Sequence, residues 1–240
     1  MTRTDGPFFV EFSGLPGAGK STLARQWLRA LEARGARVES LSRAGAPPGR
    51  LQRAFEFGRL TATHPMLGLQ LAQLAGFGRP ALGLTAALLR RVQLIETCRA
   101  HKADLAVLDE ALVQGLWSLV LTRSQAVVDR ATPLVPELLG TRYALVYLAA
   151  TPALSGSRLA ARGGKSSRFD GLSALEAATR LAGGPALFEA LYGAAEVPSL
   201  RLSAEPPPAS ALPDLMSLAV HLTGRLDGLQ VVTTARMDRP

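Results

Sequence analysis

The chain has 240 residues, a single cysteine, and a formal net charge of +8 from 27 Lys and Arg against 19 Asp and Glu. That length buries a continuous core without metal or disulfide staples, and a 48% hydrophobic share with 5% aromatic residues excludes a disordered or collagen-like chain. The lone Cys98 excludes an internal disulfide and argues against a thiolate metal cluster, while no window approaches the roughly 20 apolar residues that a membrane helix needs.

In chain order, Phe8 to Phe12 reads as the first strand; it is short, contains Glu11, and runs straight into a turn of small residues, which does not suit an export signal. From Ser21 the apolar residues Leu23, Trp27, Leu28 and Leu31 recur at helical spacing, and Gly35 supplies a C-cap. Residues 36–41 read as a second strand and 42–50 as a loop with two prolines. Residues 51–103 are mostly helical, broken at 76–80, and their second helix, about 81–101, carries Arg90, Arg91, Glu96, Arg99 and His101 among apolar positions. Cys98 lies in that pattern beside Leu94 and Ile95 and reads as structural.

Leu105 to Leu108 is a short apolar strand ending in Asp109 and Glu110. Helix is expected over about 112–130 and again near 135–139, then a strand at 143–148 and a helix at 153–162. A Gly/Ser/Lys/Arg loop leads to Phe169, residues 173–193 are helical with a break at 183–185, and 199–202 is the last strong strand. After a break at 206–208 a closing helix covers about 210–222, and 230–233 reads as an edge strand in a weakly patterned tail. Strands that alternate with helices and are apolar throughout belong to a parallel sheet covered on both faces.

The sharpest motif is Gly14-Leu15-Pro16-Gly17-Ala18-Gly19-Lys20-Ser21, continued by Thr22, between a strand and a helix. It satisfies the Walker A pattern. Glycines let successive N–H groups face one concavity, where they and the helix N-terminus receive phosphate oxygens. Lys20 reaches the outer phosphates, and the Ser21 hydroxyl ligates the accompanying magnesium. Asp109, at the carboxyl end of an apolar strand, stands where a second magnesium-organising acid belongs; a plain helix cap is its other reading. Glu110 has three readings: positioning a water, accepting a proton from or binding a substrate, or favouring the helix dipole. Arg158 and Arg162 share a helix face, and with Lys165 and Arg168 they form a segment suited to closing over a polyphosphate; a solvated basic surface is the alternative.

With these pieces in hand, the chain resembles the thymidylate kinase-like branch of the P-loop nucleoside and nucleotide kinases. The likeness rests on GLPGAGKST at 14–22, LEARGARVESLS at 31–42, LAVLDE at 105–110 and YLAATPALSGSRLAARGGKSSRF at 147–169. It implies one P-loop kinase-like domain over 1–240: a three-layer α/β/α sandwich with a mainly parallel five-stranded sheet in the order 2-3-1-4-5. It also implies a helical acceptor-pocket region at about 51–103 and a lid at about 155–170. The expected reaction is magnesium-dependent transfer of the ATP γ-phosphoryl group to a small acceptor, a nucleotide, nucleoside or other small alcohol. A regulatory or mechanical ATPase and a non-catalytic nucleotide-binding protein are the alternatives.

The resemblance assigns donor phosphates to the loop (Gly14, Gly17, Ala18, Gly19, Lys20, Ser21 and Thr22). Magnesium goes to Ser21 and Asp109, and lid contacts to Arg158, Arg162 or Arg168. Arg59, Arg90, Arg91 and Arg99 become candidate acceptor-phosphate ligands. Two departures weigh against a nucleoside monophosphate acceptor: Glu110 stands where the branch has arginine, and Ser42-Arg43-Ala44-Gly45 replaces its Arg-Glu-Pro ending. The dispersed arginines give no dedicated nucleic-acid surface. Membrane insertion is not expected, the apolar helices suit a homodimer, and the single thiol suits the cytoplasm.

Overall fold

The structure is a computed structural model that describes residues 6–41, 58–59, 62–76, 79–109, 111–121, 125–162, 169 and 171–224. Five parallel strands form one sheet: β1 (Phe8–Gly14), β2 (Val38–Ser40), β3 (Leu105–Asp109), β4 (Tyr143–Ala149) and β5 (Ser199–Ser203). Their order is β2-β3-β1-β4-β5, the order expected from the resemblance. Among the described residues the helices are α1 (Lys20–Glu32), α2 (Pro65–Ala75), α3 (Arg79–Cys98), α4 (Leu112–Val120), α5 (Gln125–Ala131), α6 (Leu134–Leu139), α7 (Pro152–Arg162), α8 (Ala174–Leu181), α9 (Gly184–Gly193) and α10 (Leu212–Thr223). A 3-10 turn at Pro208–Ala211 leads into the last. This is a three-layer α/β/α sandwich with the P-loop NTPase fold.

The two-residue period of the strands divides the core into two halves. Val10 and Phe12 of β1 point to the same side as Leu105, Val107, Ala144, Val146, Leu200 and Leu202, where Leu23, Trp27 and Leu31 of α1 and Leu215 and Ala219 of α10 cover them. Phe9 faces the other side with Ala106, Leu108, Tyr143, Leu145 and Tyr147, under Leu88 of α3, Leu116 and Trp117 of α4, and Phe188 of α9. Register places Glu11 opposite Leu108 on β3 and Leu145 on β4, so its side chain enters this second half. Both faces being covered explains why β4 reads as apolar throughout, β3 up to Asp109, and β1 around Glu11 as far as Phe12.

Two expectations shift. The helix read over about 112–130 is two helices, α4 and α5. Residues 122–124, between them, lie outside the described residues. β2 is only Val38–Ser40, shorter than 36–41, because its pairing to β3 spans only those three residues. The edge strand read at 230–233, the loop at 42–50, and Glu110 and Arg168 lie outside the described residues. Among the described residues no helix is long and apolar enough to cross a membrane.

The contact between α7 and α8 depends on Gly156. A Cβ built there would stand 2.3 Å from the Ala174 carbonyl oxygen and 3.0 Å from the Ala178 nitrogen, both backbone atoms that cannot rotate away. Gly156→Ala is expected to lower unfolding stability by about 1–3 kcal/mol, the usual cost of overpacking. Gly193→Ala on α9, whose added Cβ meets nothing within 4 Å, should be neutral or gain up to about 1 kcal/mol. Urea unfolding of both variants checks this, and equal effects would show that α7 and α8 can separate at no cost.

Candidate functional site

Loop 14–20 leaves the carboxyl end of β1 and turns into α1. Gly17 and Gly19 have φ of 84° and 101°, the left-handed region that residues with a Cβ adopt at a cost. Gly17 has a second reason: a Cβ there would lie 2.8 Å from the Ser155 carbonyl of α7. Lys20 is buried, and its Nζ donates to the Gly14 and Leu15 carbonyl oxygens at 2.9 and 3.1 Å. The Ala18 N–H closes a turn onto the Leu15 carbonyl at 3.0 Å, and the Thr22 N–H reaches the Gly19 carbonyl at 3.1 Å. The charged end of Lys20 thus curls back under the loop that precedes it.

Sequence reading missed the group that holds the other side of this loop in place. Glu11 is fully buried, and its carboxylate accepts hydrogen bonds from the N–H groups of Ala111 (3.2 Å), Leu112 (2.9 Å), Val113 (3.0 Å) and Gln114 (2.8 Å). These are the N–H groups that the start of a helix leaves without internal partners. The Tyr143 hydroxyl donates to the same carboxylate at 2.8 Å.

Burial pushes the Glu11 carboxyl above its ordinary value; the amides, the Tyr143 hydroxyl and the Arg91 charge pull it down. The four amides can only donate, which favours the carboxylate form against the burial. Burial, followed by the Glu11 charge, in turn holds the Tyr143 hydroxyl well above its usual value, so it stays a donor. One turn into the same helix, the Gln114 side-chain oxygen accepts the Gly14 N–H at 3.1 Å. The sequence signal for Glu11 was present, a lone acid inside an apolar strand. Its partners lie about a hundred positions away and gave none.

The loop opens on a cavity of about 880 Å³ at the carboxyl ends of the strands. Gly17, Ala18, Gly19, Lys20, Ser21 and Thr22 line it, with Asp109, Arg158 and Arg162, so the predicted residues that the structure describes converge there. Gly14 lies just behind, at the root of the loop. Asp109 is half-buried, and its Oδ1 is shielded from solvent with no hydrogen-bond partner. An acceptor in that state fits a water or a hydrated cation in the cavity.

Arg158 differs from the lid residue that was expected. It is a brace: its two terminal nitrogens donate to the Ala18 carbonyl of the loop at 3.1 Å and the Ala204 carbonyl after β5 at 2.9 Å. Arg162 is exposed on the cavity rim.

Leu84 of α3, Gln114, Trp117 and Ser118 of α4, and Pro206, Pro207 and Pro208 also line the cavity; sequence reading did not single them out. Trp117 is fixed by its Nε1–H donating to the Gly184 carbonyl at 3.1 Å and by stacking on Phe188, ring centroids 4.7 Å apart. Of the candidate acceptor-phosphate ligands, Arg59 donates to Gln93 at 2.8 Å, and neither it nor Arg90, Arg91 or Arg99 is part of the lining. Leu84 is the lining residue among those described in 51–103. The described lining cations, Lys20, Arg25, Arg158 and Arg162, all come from α1 and α7.

No protein-family model matches the chain, and no curated protein matches it. Solved structures do. A deoxyadenosine kinase from M. mycoides, with the products dCMP and a flexible dCDP bound, superposes with a TM-score of 0.51 over 88% of this chain and 97% of that one, at 15% identity. At that identity the likeness is one of fold, the P-loop NTPase fold, and it does not single out the thymidylate kinase-like branch.

Removing the Glu11 carboxylate leaves four amides and a hydroxyl without an acceptor. Glu11→Ala is expected to cost about 3–5 kcal/mol of unfolding stability, as when one partner of a buried charge is lost. Glu11→Gln keeps one acceptor oxygen but sets an NH₂ against donors, and should cost about 2 kcal/mol. Urea unfolding measures both; an alanine loss below about 1 kcal/mol would mean that water reaches these amides and the carboxylate is dispensable.

Proposed function

We propose that the protein is a magnesium-dependent phosphotransferase that moves the γ-phosphoryl group of ATP to a hydroxyl of a small, uncharged acceptor. The observation that carries this is the convergence of Lys20, Ser21 and Asp109, with its unpartnered buried oxygen, on one cavity beside the glycine loop. The loop amides and the α1 N-terminus receive phosphate oxygens. Lys20 exchanges the Gly14 and Leu15 carbonyls for the outer phosphates, and its charge offsets what builds up during transfer. Magnesium, when bound, screens the phosphate charges and aligns the transferring group. Ser21 and Asp109 would be the residues that hold the ion.

Arg158 carries its charge to the same place while tying the loop to the end of β5. Arg162 neutralises the transferring group from the rim, and Arg168 is a second candidate for that role from the sequence. Glu110, next to Asp109, orients the acceptor hydroxyl. Transfer chemistry of this kind is mainly positioning and electrostatics.

The wall formed by Leu84, Gln114, Trp117 and Ser118 supports an uncharged acceptor. It offers apolar surface and neutral hydrogen-bonding groups, while the described lining cations come from α1 and α7. The amide cluster at the start of α4, which elsewhere makes an anion site, already holds Glu11.

The test is ATP consumption with magnesium, with and without pools of nucleosides, neutral polyhydroxyl compounds and nucleoside monophosphates, and mass spectrometry of the products. A phosphorylated nucleoside or neutral alcohol is expected, with monophosphates inert. Lys20→Ala should lower turnover at least about 10²-fold, and Asp109→Asn should raise the magnesium needed for half-maximal rate about 10–100-fold. Steady hydrolysis indifferent to every pool would overturn the transferase reading and give Glu110 the role of positioning water.

A further inference from the structure

A second group of ligating side chains lies outside the cavity, at the β2 edge of the sheet. Glu39 stands on β2, opposite Ala106 of β3, and so faces the α3 side. Cys98 is the last residue of α3, buried in the core. The chain then tightens: the His101 N–H bonds to the Cys98 carbonyl at 3.0 Å, which folds His101 back over the end of the helix. His101 Nδ1 and Glu39 Oε2 are 2.7 Å apart, and one ligand atom from each of Glu39, Cys98 and His101 lies within 4.8 Å of the other two. None of the three lines the 880 Å³ cavity.

We propose that Cys98 Sγ, His101 Nδ1 and Glu39 carboxylate oxygen form a binding site for a zinc-class divalent ion, with water completing the coordination. The donor set is one soft sulfur, one imidazole nitrogen and one carboxylate oxygen, which selects borderline ions of this class over magnesium or calcium. Ligands at about 2.3 Å (S) and 2.0 Å (N, O) around a tetrahedron stand roughly 3.5 Å apart, so closing on an ion takes movements on the order of 1 Å. His101, exposed and beyond the helix end, supplies them.

On binding, the Cys98 thiol releases its proton to solvent, the proton that His101 Nδ1 shares with Glu39 is given up to solvent while Nε2 carries the ring's remaining one, and the His101–Glu39 contact is replaced by two metal bonds. Thiolate and carboxylate together balance the ion's charge. Burial and then the nearby Glu39 charge push the Cys98 thiol up, and a cation bound to the sulfur favours its thiolate form. The bound ion would join α3 to the edge strand β2, which pairs only with β3 in the sheet.

The chain's single cysteine gives this proposal a clean readout, because a sulfur-to-metal band can arise only at Cys98. Chelator-treated full-length protein is titrated with cobalt(II) in excess magnesium, which occupies oxygen-ligand sites. One equivalent should produce a near-ultraviolet sulfur-to-cobalt charge-transfer band, bleached by one equivalent of zinc. Cys98→Ser should abolish the band. His101→Ala and Glu39→Gln, both at partly exposed positions, should weaken cobalt affinity by at least about tenfold while leaving the metal-free melting temperature unchanged. Absence of the band in the wild-type protein overturns the proposal, as does a band whose affinity is the same in both surface variants.

Discussion

A carboxylate in the middle of a parallel sheet needs partners that the sheet cannot supply, because strand amides are already paired with neighbouring strands. Glu11 finds them at the first turn of α4, where four N–H groups converge on its two oxygens, and in the Tyr143 hydroxyl of the adjacent strand. Desolvating that charge costs several kcal/mol, and only a complete set of donors offsets it. The interaction therefore contributes position more than net stability. It fixes α4 over β1 and β4 at one height and rotation, and sliding α4 by one residue would break bonds rather than weaken them.

The candidate site inherits that registration. β1 runs from Glu11 directly into the glycine loop, and α4 runs from the capped amides to Gln114, whose side chain takes the Gly14 N–H. Asp109 ends β3 just before α4 begins. The loop, the acid and the wall containing Trp117 are thus three extensions of one buried cluster. On the opposite side Arg158 performs a similar task with a cation, bridging the Ala18 and Ala204 carbonyls. Its acceptors are neutral, so its charge remains available to the cavity.

How much of this could be read from sequence depended on how far apart the partners lie. The glycine loop, its flanking strand and helix, and Asp109 at a strand end were legible because their meaning is local. The strand order came from the resemblance and the sheet follows it. The split of 112–130 was hidden because α4 and α5 both carry apolar residues at helical spacing. Glu11 was visible as an anomaly but not as a cap, since Ala111 to Gln114 carry no side-chain mark of serving a distant acid. The Pro206–Pro208 wall read only as a chain break. The spacing of Cys98 and His101 was visible along the helix, but Glu39 joins them only through the register of β2 on β3.

The same registration bears on acceptor choice. A helix start is a good anion site when its amides point at open space. Here the one nearest the proposed acceptor wall is filled from beneath by the protein's own carboxylate. Each amide satisfied by Glu11 is withdrawn from any ligand, and a second negative charge above it would meet repulsion as well as lost hydrogen bonds. Among the described lining residues the cations come from α1 and α7, and those from α3 and α4, Leu84, Gln114, Trp117 and Ser118, are neutral. For the proposed transfer, such a division holds a polyphosphate at one end and an uncharged hydroxyl compound at the other. It follows from where the core placed Glu11, the buried acid among the described residues.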